Sequence, residues 1–144
     1  MIEESGYIGE IDDILGFHIR LAHGTVYRHF MRTFKKLDLT QKQVSVLWLV
    51  GDHPGIAQTE LAKRLQLDRA TVMAIVNRLA VRKFLVRGKS PTDRRKQTLK
   101  LQPAGAAMLS QAKAAIRSNE RWLKGRFNAK ELKTLFALLR RIHG

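Results

Sequence analysis

Apolar positions recur at three- and four-residue spacing along most of the chain, and that spacing changes once. From about Glu10 to Lys36, the residues Ile11, Ile14, Leu15, Ala22, Val26, Phe30, Phe34 and Leu37 trace one face of a long helix. Gly16 and Gly24 interrupt the helix at about 1 kcal/mol each against alanine. They are expected to mark close approach to another helix. In "LTQKQ", Thr40 and Gln43 form a capping-box pair. The helix they open carries Val44, Leu47, Trp48 and Val50 and should end near "GDHPG", residues 51–55. A short helix follows in "QTELAKRLQL", with Leu61, Ala62 and Leu65 inward. Asp68 then caps "RATVMAIVNRLAVR", whose inward stripe is Val72, Ile75, Val76 and Leu79.

The period next falls to two. "FLVR" and "TLKL" read as short strands, with Lys100 outward between Leu99 and Leu101. Gly88, Pro91 and the basic "TDRR" fall in the loop between them. Pro103 suits the first position of an alanine-rich helix with a stripe of Leu109, Ala112, Ile116 and Leu123. The pattern breaks at Gly125–Phe127. Asn128 and Glu131 then cap a last helix with Leu132, Leu135, Phe136, Leu139 and Ile142. The expected fold is mainly α with a small β-hairpin wing: a winged helix-turn-helix over residues 38–102, flanked by dimerisation helices over 1–37 and 103–144. The outer helices carry more apolar surface than a small reader needs to close its core, which points to a homodimer. Residues 1–9 have little to bury.

Charge narrows the partner. The 144 residues carry a net charge of +15. Residues 1–15 hold five acids and no lysine or arginine, whereas residues 58–101 hold twelve cations against three acids. Cations gathered this way neutralise phosphates and release counterions, so the expected partner is double-stranded DNA. A solvated basic surface or attraction to anionic lipid would show the same net charge, and the arrangement of residues has to decide. No apolar run reaches the roughly 18 residues of a membrane span. The acidic start lacks the order of a signal peptide, so a cytoplasmic location is expected. Without cysteine there are no disulfides and no thiolate metal ligands. No nucleophile motif, phosphate loop or His-x₃-His pair stands out, so neither an enzyme nor a bound cofactor is expected.

Taken in order, "ELAKRL", "ATV", "NRL", "DRR" and "LKLQPAG" resemble the winged helix-turn-helix of the MarR family of bacterial transcriptional regulators. The resemblance covers nearly the whole chain. It implies a homodimer on a pseudo-palindromic operator, usually a repressor, released by a small aromatic ligand. The family's Asp-x-Arg wing motif is matched by Asp93 and Arg95, which implies an arginine in the minor groove and an aspartate that positions it. A narrow minor groove attracts arginine, and pre-orienting the side chain reduces an entropy loss of up to about 2 kcal/mol. Arg94 and Lys96 are then expected at phosphates. On the recognition helix, Arg69, Ala70, Thr71, Met73, Ala74 and Arg78 are the expected DNA contacts. Met73 and Ala74 stand where many members have a polar residue and an arginine, so readout should lean on Arg69, Thr71 and thymine methyls. Gln66 and Lys83 stand where glycine is frequent. Arg82 fits either a phosphate or an intramolecular partner.

The first helix is unusual: "GFHIRLAHGTVYRHF" places His18, Arg20, His23, Tyr27, Arg28 and His29 within twelve residues. The histidines are not three or four apart, so they make no metal face. As a set they suit an anionic aromatic ligand, with arginine on a carboxylate or phosphate and Tyr27 or Trp48 against a ring. Arg20, His23, Tyr27 and Trp48 are the expected ligand contacts. Together with "LDLTQKQVSVLWL", the stretch is similar to the MarR branch that senses hydroxycinnamoyl-CoA thioesters such as p-coumaroyl- or feruloyl-CoA. A free phenolic acid is the other candidate effector. The alternative for the whole chain is a nonspecific architectural DNA-binding protein, which would bind phosphates without sequence preference.

Overall fold

The computed structural model describes residues 8–144; for the acidic N-terminus, the expectation over residues 1–7 lies outside them. Contacts divide the chain into two units: a reader unit, Phe34–Ser118, and a terminal unit of the described residues up to Thr33 together with Asn119–Gly144.

In the reader unit, Thr40 accepts a hydrogen bond from the Gln43 backbone N–H while the Gln43 side chain accepts from the Thr40 N–H, and this capping box opens α2 (Gln41–Asp52). The preceding α1 (Leu15–Phe34) ends at the boundary of the unit. Strand β1 (Ile56–Ala57) leads into α3 (Gln58–Leu65). Helix α4 (Arg69–Val81), capped by Asp68, is the one expected to be the recognition helix. Strands β2 (Leu85–Lys89) and β3 (Gln97–Leu101) form the wing hairpin, and β1 pairs antiparallel with β3, giving the order β1-β3-β2. The sheet thus has one strand more than the periodicity predicts, with Ile56 opposite Leu99. Gly88, expected in the loop, belongs to β2 and pairs with Thr98.

Both tight turns around α4 and α3 use left-handed residues. Gln66 has φ 55° and Lys83 φ 63°. Each sits in a double hydrogen-bonded helix stop: Leu67 N–H to Ala62 O with Gln66 N–H to Lys63 O, and Phe84 N–H to Leu79 O with Lys83 N–H to Ala80 O. Glycine would adopt this backbone without the penalty of roughly 1–2 kcal/mol that a Cβ incurs. These are the two positions where the resemblance led glycine to be expected.

The reader core is closed. Leu47, Leu61, Leu79, Leu85 and Leu99 have no more than 1% of their surface exposed, each worth about 1.5–3 kcal/mol against exposure. The α4 stripe of Val72, Ile75, Val76 and Leu79 is buried as its spacing predicts. Helix α5 (Pro103–Lys124) lays Leu109 and Ala112 into this core. Gly105 fixes how close α5 comes: a Cβ there would lie 1.8 Å from the Phe84 carbonyl oxygen. The glycine of "LKLQPAG" is therefore a packing requirement.

In the terminal unit, the single long helix expected over residues 10–36 is interrupted. Glu10–Asp13 form a 3₁₀ turn, Ile14 is extended, and α1 starts at Leu15. A His18 ring nitrogen bonds the Asp12 carbonyl at 2.6 Å and holds that turn. The expected close approach at the α1 glycines is absent among the described residues: a Cβ on Gly16 would meet open space, and one on Gly24 only its own helix's Arg28 side chain. Helix α6 (Ala129–His143) opens with the Asn128–Glu131 capping box. His29 donates from Nδ1 to the buried Asn119 Oδ1 and stacks on Trp122 with centroids 3.9 Å apart. Much of the remaining apolar surface of this unit is open, including Ile11, Ile14, Leu15, Ile19, Phe136, Leu138, Leu139 and Ile142.

Candidate nucleic-acid interface

The recognition helix begins where Asp68 accepts from the Thr71 backbone N–H at 2.7 Å and from the Thr71 hydroxyl at 2.8 Å. Those two bonds, the backbone one foremost, hold the Asp68 carboxyl below its ordinary pKa. Thr71 thus directs its hydroxyl proton into the cap and lies half-buried at the edge of the helix face. Opposite the buried stripe, Ala70, Met73, Ala74 and Asn77 occupy the middle of the exposed face, with Arg69 and Arg78 along its edges.

The wing tip is a set of nested turns. Ser90 N–H bonds Lys96 O, Lys96 N–H bonds Asp93 O, and the Ser90 hydroxyl accepts from Thr92 N–H and Asp93 N–H. Asp93 Oδ1 then accepts from Arg95 twice, from the backbone N–H at 3.0 Å and from Nε at 3.4 Å. The Arg95 side chain is nevertheless 93% exposed. An exposed pair of this kind adds at most about 1 kcal/mol to stability, so its consequence is direction: the aspartate aims a guanidinium outward. Arg94 and Lys96 are exposed beside it. Between α3, α4 and the wing lies an open recess of about 490 Å³ lined by Gln58, Thr59, Arg69, Met73, Arg95 and Lys96, among others. It brings together four of the predicted contacts: Arg69, Met73, Arg95 and Lys96.

Other cations of this segment are held within the fold. Arg82 donates to the Asp38 carbonyl at 2.6 Å and to the Leu37 carbonyl at 3.3 Å, and its guanidinium covers the Phe84 ring. It is an intramolecular partner. Arg64 is shared between Glu60 and His53. Arg87, which the sequence reading did not single out, donates from β2 to Asn77 Oδ1 on α4 and, at 3.4 Å, to Gln58 Oε1 on α3. The signal for it was present. Arg87 shares the inward side of a two-residue period with buried Leu85, and a cation there needs a polar partner.

Residues 37–96 match the MarR family model. A Thauera aromatica protein whose name assigns it to transcriptional regulation of an hcr operon is 31% identical over 136 residues, covering 94% of this chain and 82% of that protein. The chain belongs to the MarR family of transcriptional regulators. Among solved MarR-type structures, the repressor CouR bound to a 23-mer DNA duplex superimposes with a TM-score of 0.89 at 32% identity, covering 96% of this chain and 98% of CouR. BpsR of Bordetella bronchiseptica, whose DNA binding is regulated by 6-hydroxynicotinic acid, follows at a TM-score of 0.88 and 26% identity over 95% of this chain and 98% of that one. In this MarR-family chain the winged helix is therefore a DNA-binding element.

The expected ligand residues are distributed over both units. Arg20, His23 and Tyr27 are exposed on α1; His23 stacks on Tyr27 with centroids 6.1 Å apart, and the Arg20 guanidinium sits 5.3 Å from the Phe17 ring. Trp48 is half-buried on α2 in the reader unit, with the Lys113 ammonium 5.0 Å from its ring. No helix among the described residues is long and apolar enough to cross a membrane.

Proposed function

We propose that this MarR-family regulator acts as a homodimeric repressor that reads a pseudo-palindromic operator and is released by an aromatic acid or its CoA thioester. Two copies pair through the terminal unit, whose open apolar helices need a partner. The described residues up to Thr33 and from Asn119 onward supply that pairing, and Phe34–Ser118 the reader. Each α4 enters a major groove, the two about one helical turn apart. Arg95 enters the flanking minor groove, with Arg94 and Lys96 at phosphates. The observation that carries this reading is the wing tip: an arginine fully offered to solvent yet held at its root by Asp93. A phosphate-only binder has no use for that restraint.

The test is selection of bound fragments from random duplex DNA at roughly 150 mM salt, where attraction to phosphates is partly screened. Native protein should enrich a palindrome with half-sites about ten base pairs apart, and Arg95→Ala should hold that palindrome roughly tenfold less tightly. Equal retention of all sequences would leave the architectural alternative in its place.

For the effector, the regulation of BpsR by 6-hydroxynicotinic acid supports an aromatic acid. The net charge of +7 over residues 102–144, with Arg20, Arg28 and Arg32 on α1, supports the more anionic p-coumaroyl- or feruloyl-CoA. Anisotropy titration of the enriched duplex with p-coumarate and with p-coumaroyl-CoA separates the two. Calorimetry on Arg20→Ala and Tyr27→Ala tests the site. Unchanged ligand affinity in both variants would remove α1 from it.

A further inference from the structure

A hairpin is aimed by whatever holds its root. Strand β3 is held on both sides, by β1 and by β2, whereas β2 pairs with β3 alone among the described residues. The free edge of β2 has no backbone partner, so the strand is tied to the helices through its side chains. The inward side of its two-residue period carries Leu85 and then Arg87. Leu85 is buried in the reader core and Arg87 is half-buried. Beyond that point support falls away: none of the described residues from Gly88 to Thr98 is buried, and Gly88 has no side chain to pack. Arg87 therefore stands at the last grip of β2 on the helices before the tip that carries Arg95.

The Arg87 guanidinium spans two helices. Its Nη2 donates to Asn77 Oδ1 on α4, and its Nε donates to Gln58 Oε1 at the start of α3, at 3.4 Å. Asn77 stands on the exposed face of α4, and Gln58 lines the recess that Arg95 also lines. Donors on one rigid plane fix direction as well as distance, because a planar fork leaves the side chain little freedom. Packing alone favours an apolar side chain, as at Leu85, since half-burying a cation has a desolvation cost. We infer that Arg87 is a positioning residue for operator recognition: it locks the wing to α4, so that Arg95 and the recognition helix meet the duplex at a fixed spacing. The inference rests on the proposed placement of Arg95 in the minor groove and adds the residue that sets its aim. Asp93 orients the arginine on the tip, and Arg87 orients the tip on the reader.

The test is a double-mutant cycle on the duplex enriched by native protein, with a scrambled duplex of the same length beside it. Arg87→Ala should weaken the enriched duplex about fivefold and the scrambled one by less than about twofold, since a positioning residue makes no phosphate contact of its own. Arg95→Ala, at about tenfold in native protein, should cost only about twofold in the Arg87→Ala background, because an arginine already misaimed has little left to lose. Losses that multiply to about fiftyfold would overturn the inference and leave the minor-groove role of Arg95 intact. Undiminished binding by Arg87→Ala would do the same, as would equal weakening on both duplexes, which would make Arg87 a phosphate contact. Thermal unfolding is measured on each variant. If Arg87→Ala does not fold, Arg87→Met, which fills the space without donating, is carried through the same cycle. Failure to enrich any duplex, or no loss for Arg95→Ala in native protein, would overturn both the inference and the reading on which it rests.

Discussion

The reader and terminal units are built from similar helices, yet only one closes on itself. Between Phe34 and Ala112, apolar stripes from α2, α4, α5 and the wing are buried almost completely. In the terminal unit, Phe30 is the one apolar side chain among the described residues that reaches the same burial, while isoleucines and leucines on α1 and α6, with Phe136, stay open. Equal hydrophobic periodicity in sequence therefore has two outcomes. A stripe that meets others in the same chain makes a core, and one that meets none makes an interface. On the proposed function, the difference would put specificity in the unit that needs no partner and assembly in the one that does.

The sharpest way to break the contrast is to charge the open face. Leu139→Asp, on an exposed position of α6, should leave helix content unchanged in circular dichroism. In sedimentation equilibrium it should weaken self-association roughly a thousandfold, from about 2 kcal/mol lost in each copy. Undiminished dimer would show that α6 is not in the interface. The matching attack on the closed unit is Gly105→Ala. Its methyl collides with the Phe84 backbone, so thermal unfolding should report a loss of about 3 kcal/mol, at the upper end for overpacking. Dimer affinity at low temperature should change little.

Smaller effects sharpen the account of the reader. Lys83→Gly relieves a left-handed residue at the end of α4, and should raise reader stability in denaturant by up to about 1 kcal/mol. No gain would mean that the lysine side chain contributes as much as the backbone loses. The Asp68 cap adds a pH signature. Its folded pKa is depressed by the bonds from Thr71, so its contribution is full above the ordinary aspartate value of about 4 and is lost as pH falls through the lower folded value. Thermal melts of native protein and Asp68→Ala should therefore differ at neutral pH and converge in acid. A constant difference would mean that the alanine acts through something other than the charged cap.

Much of this architecture is legible in the sequence alone, for definable reasons. Caps at Thr40, Asp68 and Asn128 are local pairs three residues apart, and local pairs are visible in a sequence. The buried stripe of α4 follows from period alone. Strand β1 escaped because two residues show no period, and its pairing with β3 joins positions about forty residues apart. The break at Ile14 carries no glycine or proline of its own. The tie from Arg87 to Asn77 and Gln58 needs three elements at once, although an arginine on the inward side of a strand was a warning. Thr71 shows a different limit. Its hydroxyl proton goes to Asp68, which only geometry reveals, and its lone pairs stay open.

We propose that a self-contained reader is doubled by termini that are not. It is tested most directly by measuring affinity for the enriched duplex with both half-sites against one with a single half-site, using native protein and Leu139→Asp side by side. Native protein should prefer the double site by roughly a hundredfold or more, as linked binding does, and Leu139→Asp should lose most of that preference while binding the single half-site as before. Equal preference in both proteins would contradict it, because the reader would then be pairing on DNA without the terminal helices.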